Sequence, residues 1–409
     1  MSFNPSLELF RVYKFFVFLL LLPIFQIKTV YAEYGDSIKS GHYNVLSGYA
    51  QYGKVLATNP YLKTASVADD AFIEYSAFSF QFLKQTTGAK EWERNYGYPC
   101  YGVGIYCADF FDNKNFGTPI AIYGTFQAPF KRWNRLSFNY DTGFGFAFNW
   151  ESFNPSANNY NVSLGAKETV FIDLGLNLKY RLSPDLDLGM GYSFTHFSNG
   201  ALKSPNMGLN TFSPKITLSY NLNKFTPPSV KESAAPHKKN TSIDISAFGG
   251  LKNVIYKGSN ADTITNYKGV NYPVYGINTV ICRQVNSKSR IGIGCSLSYD
   301  GSFNSNAYID HGELESAEGF HSNKLSFSIF PSYEMVINHL SVVIQPGFYI
   351  FQQQSADKKP ITYQRLGLHY QMGKNIFAGI CLRAYDYHVS DFIEWTLGYR
   401  IHVSHDSKY

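Results

Sequence analysis

The sequence carries little charge for its size. Asp, Glu, Lys and Arg make up 16% of the 409 residues, whereas a water-soluble globular protein usually carries about 25%. The deficit argues against a surface that faces water on all sides. The net charge of +6 is spread along the chain, with no basic run beyond Lys238 and Lys239, so no nucleic-acid partner is indicated.

Long hydrophobic runs are missing beyond the N-terminal region. The mean hydropathy is -0.20, and no later stretch stays apolar for the about 20 residues that a membrane helix needs. Aromatic residues, in contrast, make up 17% of the chain, with 34 Phe and 32 Tyr. Low charge, abundant aromatic residues and the lack of a membrane helix together are typical of a transmembrane β-barrel.

Cysteine is scarce, and the five cysteines do not form a disulfide framework. Cys100 and Cys107 flank a predicted short strand, and a bond between them across a turn is an open alternative. The sequence also contains no metal-ligand cluster, phosphate-binding loop or cofactor motif. It therefore predicts neither a metal ion nor a cofactor.

Residues 1–32 are typical of a secretory signal peptide. Arg11 and Lys14 precede an apolar core at 15–27, and Val30 and Ala32 supply small residues where signal peptidase reads the chain. We expect cleavage after Ala32, which places the mature chain beyond the inner membrane.

Alternation of apolar and polar residues dominates after residue 45. In the segment 135–150 every second residue from Leu136 to Trp150 is apolar or Thr, and the residues between are mostly Gly, Ser, Asn and Asp. The segment 170–181 repeats this period of two. The pattern predicts strands with an apolar, lipid-facing side and a small, polar interior side.

About sixteen such strands are predicted, eight in each half of the chain, and an even number suits a bacterial barrel. The predicted strands are 47–57, 72–84, 101–109, 117–130, 135–150, 167–181, 185–197, 210–222, 242–253, 273–285, 288–300, 324–336, 340–353, 363–372, 375–386 and 390–403. The fold class is thus an all-β, transmembrane antiparallel β-barrel, either one large barrel or two tandem eight-stranded barrels.

The segment 224–240 separates the halves. It contains three prolines and mixed charges, which is typical of a linker or long turn. We therefore expect one barrel region at 33–223 and a second at 241–409.

One strand end carries a constellation of reactive groups. His196 and Ser198 lie two residues apart, so both project from the lipid-facing side of their strand. Asn210 begins the next strand on the same side. A Ser, a His and an amide on one patch are the parts of an acyl-transfer triad, with Ser198 as nucleophile, His196 as base and Asn210 as the group that orients the imidazole. Asn199 and Gly200 would hold the oxyanion.

This stretch resembles the lipid A 3-O-deacylase (PagL) family of outer-membrane enzymes. The resemblance is carried by His196-Phe-Ser198-Asn199, Leu202-Lys203, Pro205-Asn206, Gly208 and the strand from Asn210, and it covers roughly residues 45–223. It implies an eight-stranded barrel with a lipid-exposed triad that removes the 3-linked hydroxyacyl chain from lipid A. The partner is then lipopolysaccharide of the outer leaflet, and the location is the outer membrane of a Gram-negative bacterium.

The third triad position departs from that family, whose enzymes have Glu where this chain has Asn210. The pattern Thr195-His196-Phe-Ser198-Asn199-Gly200, with Asn210 fourteen residues after the His, is also similar to outer-membrane phospholipase A. That second resemblance implies phospholipid hydrolysis, with calcium and a homodimer. A third alternative is a non-catalytic outer-membrane barrel or pore. The sequence favours the lipid A deacylase.

Overall fold

The structure is a computed structural model, and it describes residues 43–59, 62, 74–154, 156–223, 240–254, 270–303, 322–352, 360–386 and 389–403. The predicted signal peptide and all of the predicted linker except Asn240 lie outside these residues. The chain divides into two compact units. The second unit contains the segments 152–166 and 198–207 as well as the described residues from 240 onward. No helix in the described ranges is both long enough and apolar enough to cross a bilayer.

The first eight strands form a closed antiparallel barrel in which each strand pairs with its neighbour in sequence and β1 closes on β8. Two short helices, α1 and α2, flank β3. The bounds are β1 (Tyr43–Val55), β2 (Glu74–Gln85), α1 (Glu91–Asn95), β3 (Cys100–Asp109), α2 (Asn113–Phe116), β4 (Gly117–Arg132), β5 (Leu136–Trp150), β6 (Thr169–Arg181), β7 (Leu186–Ser198) and β8 (Leu209–Asn221).

Strand β8 shows why this sequence folds as a barrel wall. Ile216 and Leu218 are about half exposed on the outside, at 52% and 50%, whereas Lys215, Thr217 and Ser219 are buried inside. A strand places successive side chains on opposite faces. The apolar set therefore faces lipid, and the polar set fills the interior.

The interior of the first barrel contains the buried Lys215 and a group of packed aromatic rings. Lys215 forms ion pairs with Asp141 and Asp173. Phe197 packs against Tyr106 and Phe171, with ring centroids 6.3 and 5.6 Å away. These groups occupy the space that would otherwise be an aqueous channel.

The last eight strands form a second closed antiparallel barrel in which β16 pairs with β9. A 3₁₀-helix at Ser322–Lys324 precedes β12. The bounds are β9 (Thr241–Val254), β10 (Val270–Asn286), β11 (Ser289–Asp300), β12 (Leu325–Ile337), β13 (Leu340–Gln352), β14 (Thr362–Met372), β15 (Ile376–Tyr385) and β16 (Val389–Val403).

Paired charges fill the interior of the second barrel. Glu394 is fully buried and accepts hydrogen bonds from Arg365 Nε and Arg383 Nη2, both at 3.1 Å. Arg290 and Arg400 both pair with Asp244. Because buried charges need partners, these networks link β14, β15 and β16 to one another and β9 to β11 and β16.

The structure confirms the predicted fold class and resolves the alternative between one barrel and two. All sixteen strands form within a few residues of their predicted positions, and they close as two barrels of eight.

One expectation about a single side chain is wrong. Trp150 was expected to face outward, but it is buried against Phe110 and Phe197, and its indole N–H donates to Thr169 Oγ1. Asn149 has a φ of +67°, a left-handed backbone that turns the following side chain to the other face.

The open alternative of a bond between Cys100 and Cys107 also fails. Both residues lie on β3 with both thiols free. An extended strand of seven steps spans about 23 Å, far beyond the reach of a disulfide.

Candidate active site

Strands β7 and β8 place the predicted site residues. The two strands are antiparallel neighbours, and His196 lies directly opposite Asn210 in their register. Phe197 between His196 and Ser198 points into the barrel, where it meets Trp150 and Phe171. Since side chains alternate along a strand, His196 and Ser198 project from the outer face.

The imidazole and the amide are in contact. His196 Nδ1 and Asn210 Oδ1 are 2.6 Å apart, and Asn210 Nδ2 donates to Thr58 Oγ1 at 3.1 Å. The bond to Thr58 fixes which end of the amide faces the ring. Because an amide oxygen only accepts, Nδ1 carries the hydrogen, and Nε2 keeps the lone pair that a general base needs.

The segment that follows β1 holds the backbone around this pair. Leu56 N donates to Asn210 O at 2.8 Å, and Asn59 Nδ2 donates to Gly208 O at 3.2 Å. Gly208 has a φ of +73°, and a Cβ at this position would lie 3.1 Å from His196 Cε1. Glycine therefore lets the turn into β8 pass close beside the imidazole.

Ser198 is the last residue of β7 and the first residue of the segment 198–207, which belongs to the second compact unit. Its hydroxyl accepts hydrogen bonds from Gly200 N at 3.1 Å and from Asn206 Nδ2 at 2.9 Å. A third neighbour is Ser390 Oγ at 3.4 Å. In the described part of the chain these groups, rather than the imidazole, are the hydrogen-bond partners of the hydroxyl.

The two predicted oxyanion residues differ in what they offer. Gly200 presents its backbone N–H at the serine oxygen. Asn199 donates two hydrogen bonds within the turn. Its backbone N–H donates to Asn206 Oδ1 at 3.0 Å, and its Nδ2 donates to Lys203 O at 2.7 Å. Asn199 therefore shapes the loop that carries the donors.

Sequence reasoning missed two side chains at this site. Asn206 supplies the second donor at the serine oxygen, and Thr58 orients the Asn210 amide. The Pro205-Asn206 turn was noted only as part of a motif, whereas Thr58 lies just past β1 and has no signal in the sequence.

Family profiles match both halves of the chain. A profile described as lipid A 3-O-deacylase (PagL) matches residues 77–221, and a profile described as acyloxyacyl hydrolase, C-terminal domain, matches residues 241–403. Between them the two profiles cover most of the chain. No curated protein matches the sequence. The resemblance to outer-membrane phospholipase A rests on the motif alone.

Solved barrels resemble the chain only loosely. The outer membrane enzyme PagL aligns with 14% identity and a TM-score of 0.26, over 42% of this chain and 97% of PagL. The Pseudomonas putida toluene transporter TodX aligns with 8% identity and a TM-score of 0.17, over 90% of this chain and 89% of TodX. A triple mutant of the Rhodopseudomonas blastica porin aligns with 10% identity and a TM-score of 0.16, over 89% of this chain and 100% of the porin.

With both halves matched by profiles of one enzyme family, the chain belongs to the lipid A 3-O-deacylase (PagL) family of outer-membrane ester hydrolases.

Proposed function

We propose that this chain is a serine esterase that removes the 3-O-linked hydroxyacyl chain from lipid A. Ser198 is the nucleophile, His196 is the general base, and Asn210 orients the imidazole. The observation that carries the proposal is the 2.6 Å contact between His196 Nδ1 and an Asn210 amide whose orientation Thr58 sets. It leaves Nε2 as an unprotonated base on the outer face of the barrel.

In the first step Ser198 Oγ forms a bond to the carbonyl carbon of the ester, and its proton passes to His196 Nε2. The carbonyl oxygen becomes an oxyanion. Gly200 N–H and Asn206 Nδ2, which point at the serine oxygen before substrate binds, are the donors nearest to that developing charge.

In the second step the bond between the carbonyl carbon and the 3-oxygen of the sugar breaks, and the imidazolium returns its proton to that oxygen. Water then attacks the acyl-serine while His196 takes a proton from it. The bond between the acyl carbon and Ser198 Oγ then breaks, the imidazolium returns its proton to Oγ, and the fatty acid leaves. Each proton taken by the base is thus given back within one cycle.

The neutral Asn210 sets a limit on this chemistry. Its amide oxygen fixes the tautomer, but it cannot stabilise the imidazolium by charge as a carboxylate would. We therefore expect a functional enzyme that is slower than a relative with a carboxylate at this position.

The test is the mass of lipid A from a lipopolysaccharide-producing host that expresses the full chain. We expect the loss of one hydroxyacyl chain, and Ser198→Ala should abolish that loss. The matched control is Ser296→Ala, which removes a buried β11 hydroxyl that has no hydrogen-bond partner among the described residues. Unchanged lipid A in the wild-type host, or activity that survives in Ser198→Ala, would overturn the proposal.

The alternative substrate is a glycerophospholipid, and Asn210 at the third triad position favours it. The same purified protein is incubated with phospholipid vesicles, with and without calcium, and its dimerisation is measured. Calcium-dependent release of fatty acid from phospholipid, with lipid A left intact, would replace the deacylase assignment by a phospholipase of the same mechanism.

A further inference from the structure

The segment that carries the serine is anchored to the second barrel, within one compact unit. Ser204 N donates to Asn253 Oδ1 at 3.3 Å, and Ser198 Oγ lies 3.4 Å from Ser390 Oγ at the start of β16. Gly200 packs directly against Ile393, because a Cβ at Gly200 would lie 2.5 Å from Ile393 Cγ1. Three separate contacts therefore fix the segment 198–207 on this barrel.

Three groups surround the Ser198 oxygen. Gly200 N–H and Asn206 Nδ2 donate to Ser198 Oγ, and Ser390 Oγ lies 3.4 Å from the same atom. A hydroxyl can both donate and accept, so either serine can be the donor in the contact between Ser198 and Ser390. Together the three groups hold the Ser198 side chain in one rotamer.

We propose that the second barrel is a working part of the esterase, in which Ser390 is the positioning residue for the Ser198 hydroxyl. The inference rests on the proposed role of Ser198 as nucleophile. Ile393 acts on the same hydroxyl indirectly, since it packs against Gly200, whose backbone N–H holds the serine oxygen. The second barrel thereby keeps the nucleophile in one rotamer, as a preorganised site requires.

The test uses the full chain and two readouts, lipid A turnover and the rate at which a serine-directed lipid phosphonate labels Ser198. Ser390→Ala should lower kcat and the labelling rate together by about two- to tenfold, the worth of one hydrogen bond, with KM unchanged. Ser390→Thr keeps the hydroxyl and should restore both rates. Ser296→Ala is the control for loss of a buried hydroxyl from the same barrel and should match the wild type.

Ile393→Ala is the second variant, and it should slow labelling without touching the serine. Its effect should add little to that of Ser390→Ala, because both act on one hydroxyl. Gel migration with and without heating shows whether Ser390→Ala assembles. If it does not, the labelling rate of Ile393→Ala is the test, and a wild-type rate in that variant would overturn the proposal.

Wild-type rates in Ser390→Ala, or failure of Ser390→Thr to restore them, would overturn the positioning role while an inactive Ser198→Ala keeps the esterase assignment. Activity that survives in Ser198→Ala would instead remove the proposed function itself. The two failures are therefore distinguishable.

Discussion

The two barrels share an architecture but differ at the outer face of their last two strands. In the first barrel His196 lies opposite Asn210. In the second barrel the matching strands, β15 and β16, place Leu382 opposite Ile393. One barrel thus presents an imidazole and an amide where the other presents two aliphatic side chains. The two barrels have the same strand number and closure, so the proposed site depends on the side chains at two outward positions.

The interiors differ as well. The first barrel encloses Lys215 between two carboxylates under a layer of rings, whereas the second encloses arginines paired with acids. In both barrels the described side chains fill the interior, so neither interior is an open channel. Substitutions at the site, or at the buried charges of one barrel, test what each barrel contributes to activity and to stability.

The largest expected effect is loss of the base. His196→Ala should lower lipid A deacylation by about 10³-fold or more, since the serine then has no proton acceptor. Mass spectrometry of lipid A after timed incubation measures the rate. His339→Ala, at an exposed position between β12 and β13, is the matched control and should keep full activity. Equal losses in both variants would contradict the division between the barrels.

Next come the buried ion pairs. Lys215→Met leaves Asp141 and Asp173 without their partner, and Glu394→Gln removes the charge that Arg365 and Arg383 share. Each change should destabilise its own barrel by about 3 to 5 kcal/mol, because it strands a buried charge. Urea unfolding in lipid vesicles measures this. Unfolding midpoints that stay at the wild-type value would show that the charges do not support the walls.

A smaller effect is expected at the orienting amide. Asn210→Ala should slow deacylation by about 10- to 100-fold, since the imidazole remains but its tautomer is no longer fixed. The fall should appear in kcat, because Asn210 holds the ring rather than the lipid. A change confined to KM would argue that Asn210 contacts substrate instead.

The smallest expected effect lies at Thr58. Thr58→Val keeps the shape of the side chain but removes the oxygen that accepts from Asn210 Nδ2, so deacylation should fall by about two- to tenfold. Thr58→Ser retains the hydroxyl and should preserve the rate. If Val and Ser behave alike, the bond does not orient the amide.

The strands and the contact between His196 and Asn210 are readable from sequence because both follow from local rules. Alternation with a period of two defines each strand face, and antiparallel neighbours joined by one connection bring the end of β7 to the start of β8. The same parity argument fails at Trp150, because the left-handed backbone of Asn149 reverses the faces.

What sequence reasoning missed lies in loops or far along the chain. Asn206 reaches the serine oxygen through a turn whose geometry alternation does not describe. Ser390 lies 192 residues after Ser198, and nothing local in either segment predicts their contact. Long-range packing, rather than residue pattern, decides both positions.

The orientation of the Asn210 amide depends on the closure of the first barrel. Thr58 follows β1, and β1 pairs with β8, which carries Asn210. The seam between the first and last strands therefore supplies the hydroxyl that selects which end of the amide faces the imidazole. A substitution that weakens this seam should act on the ring through the amide, although it lies on neither strand that carries the ring or the serine.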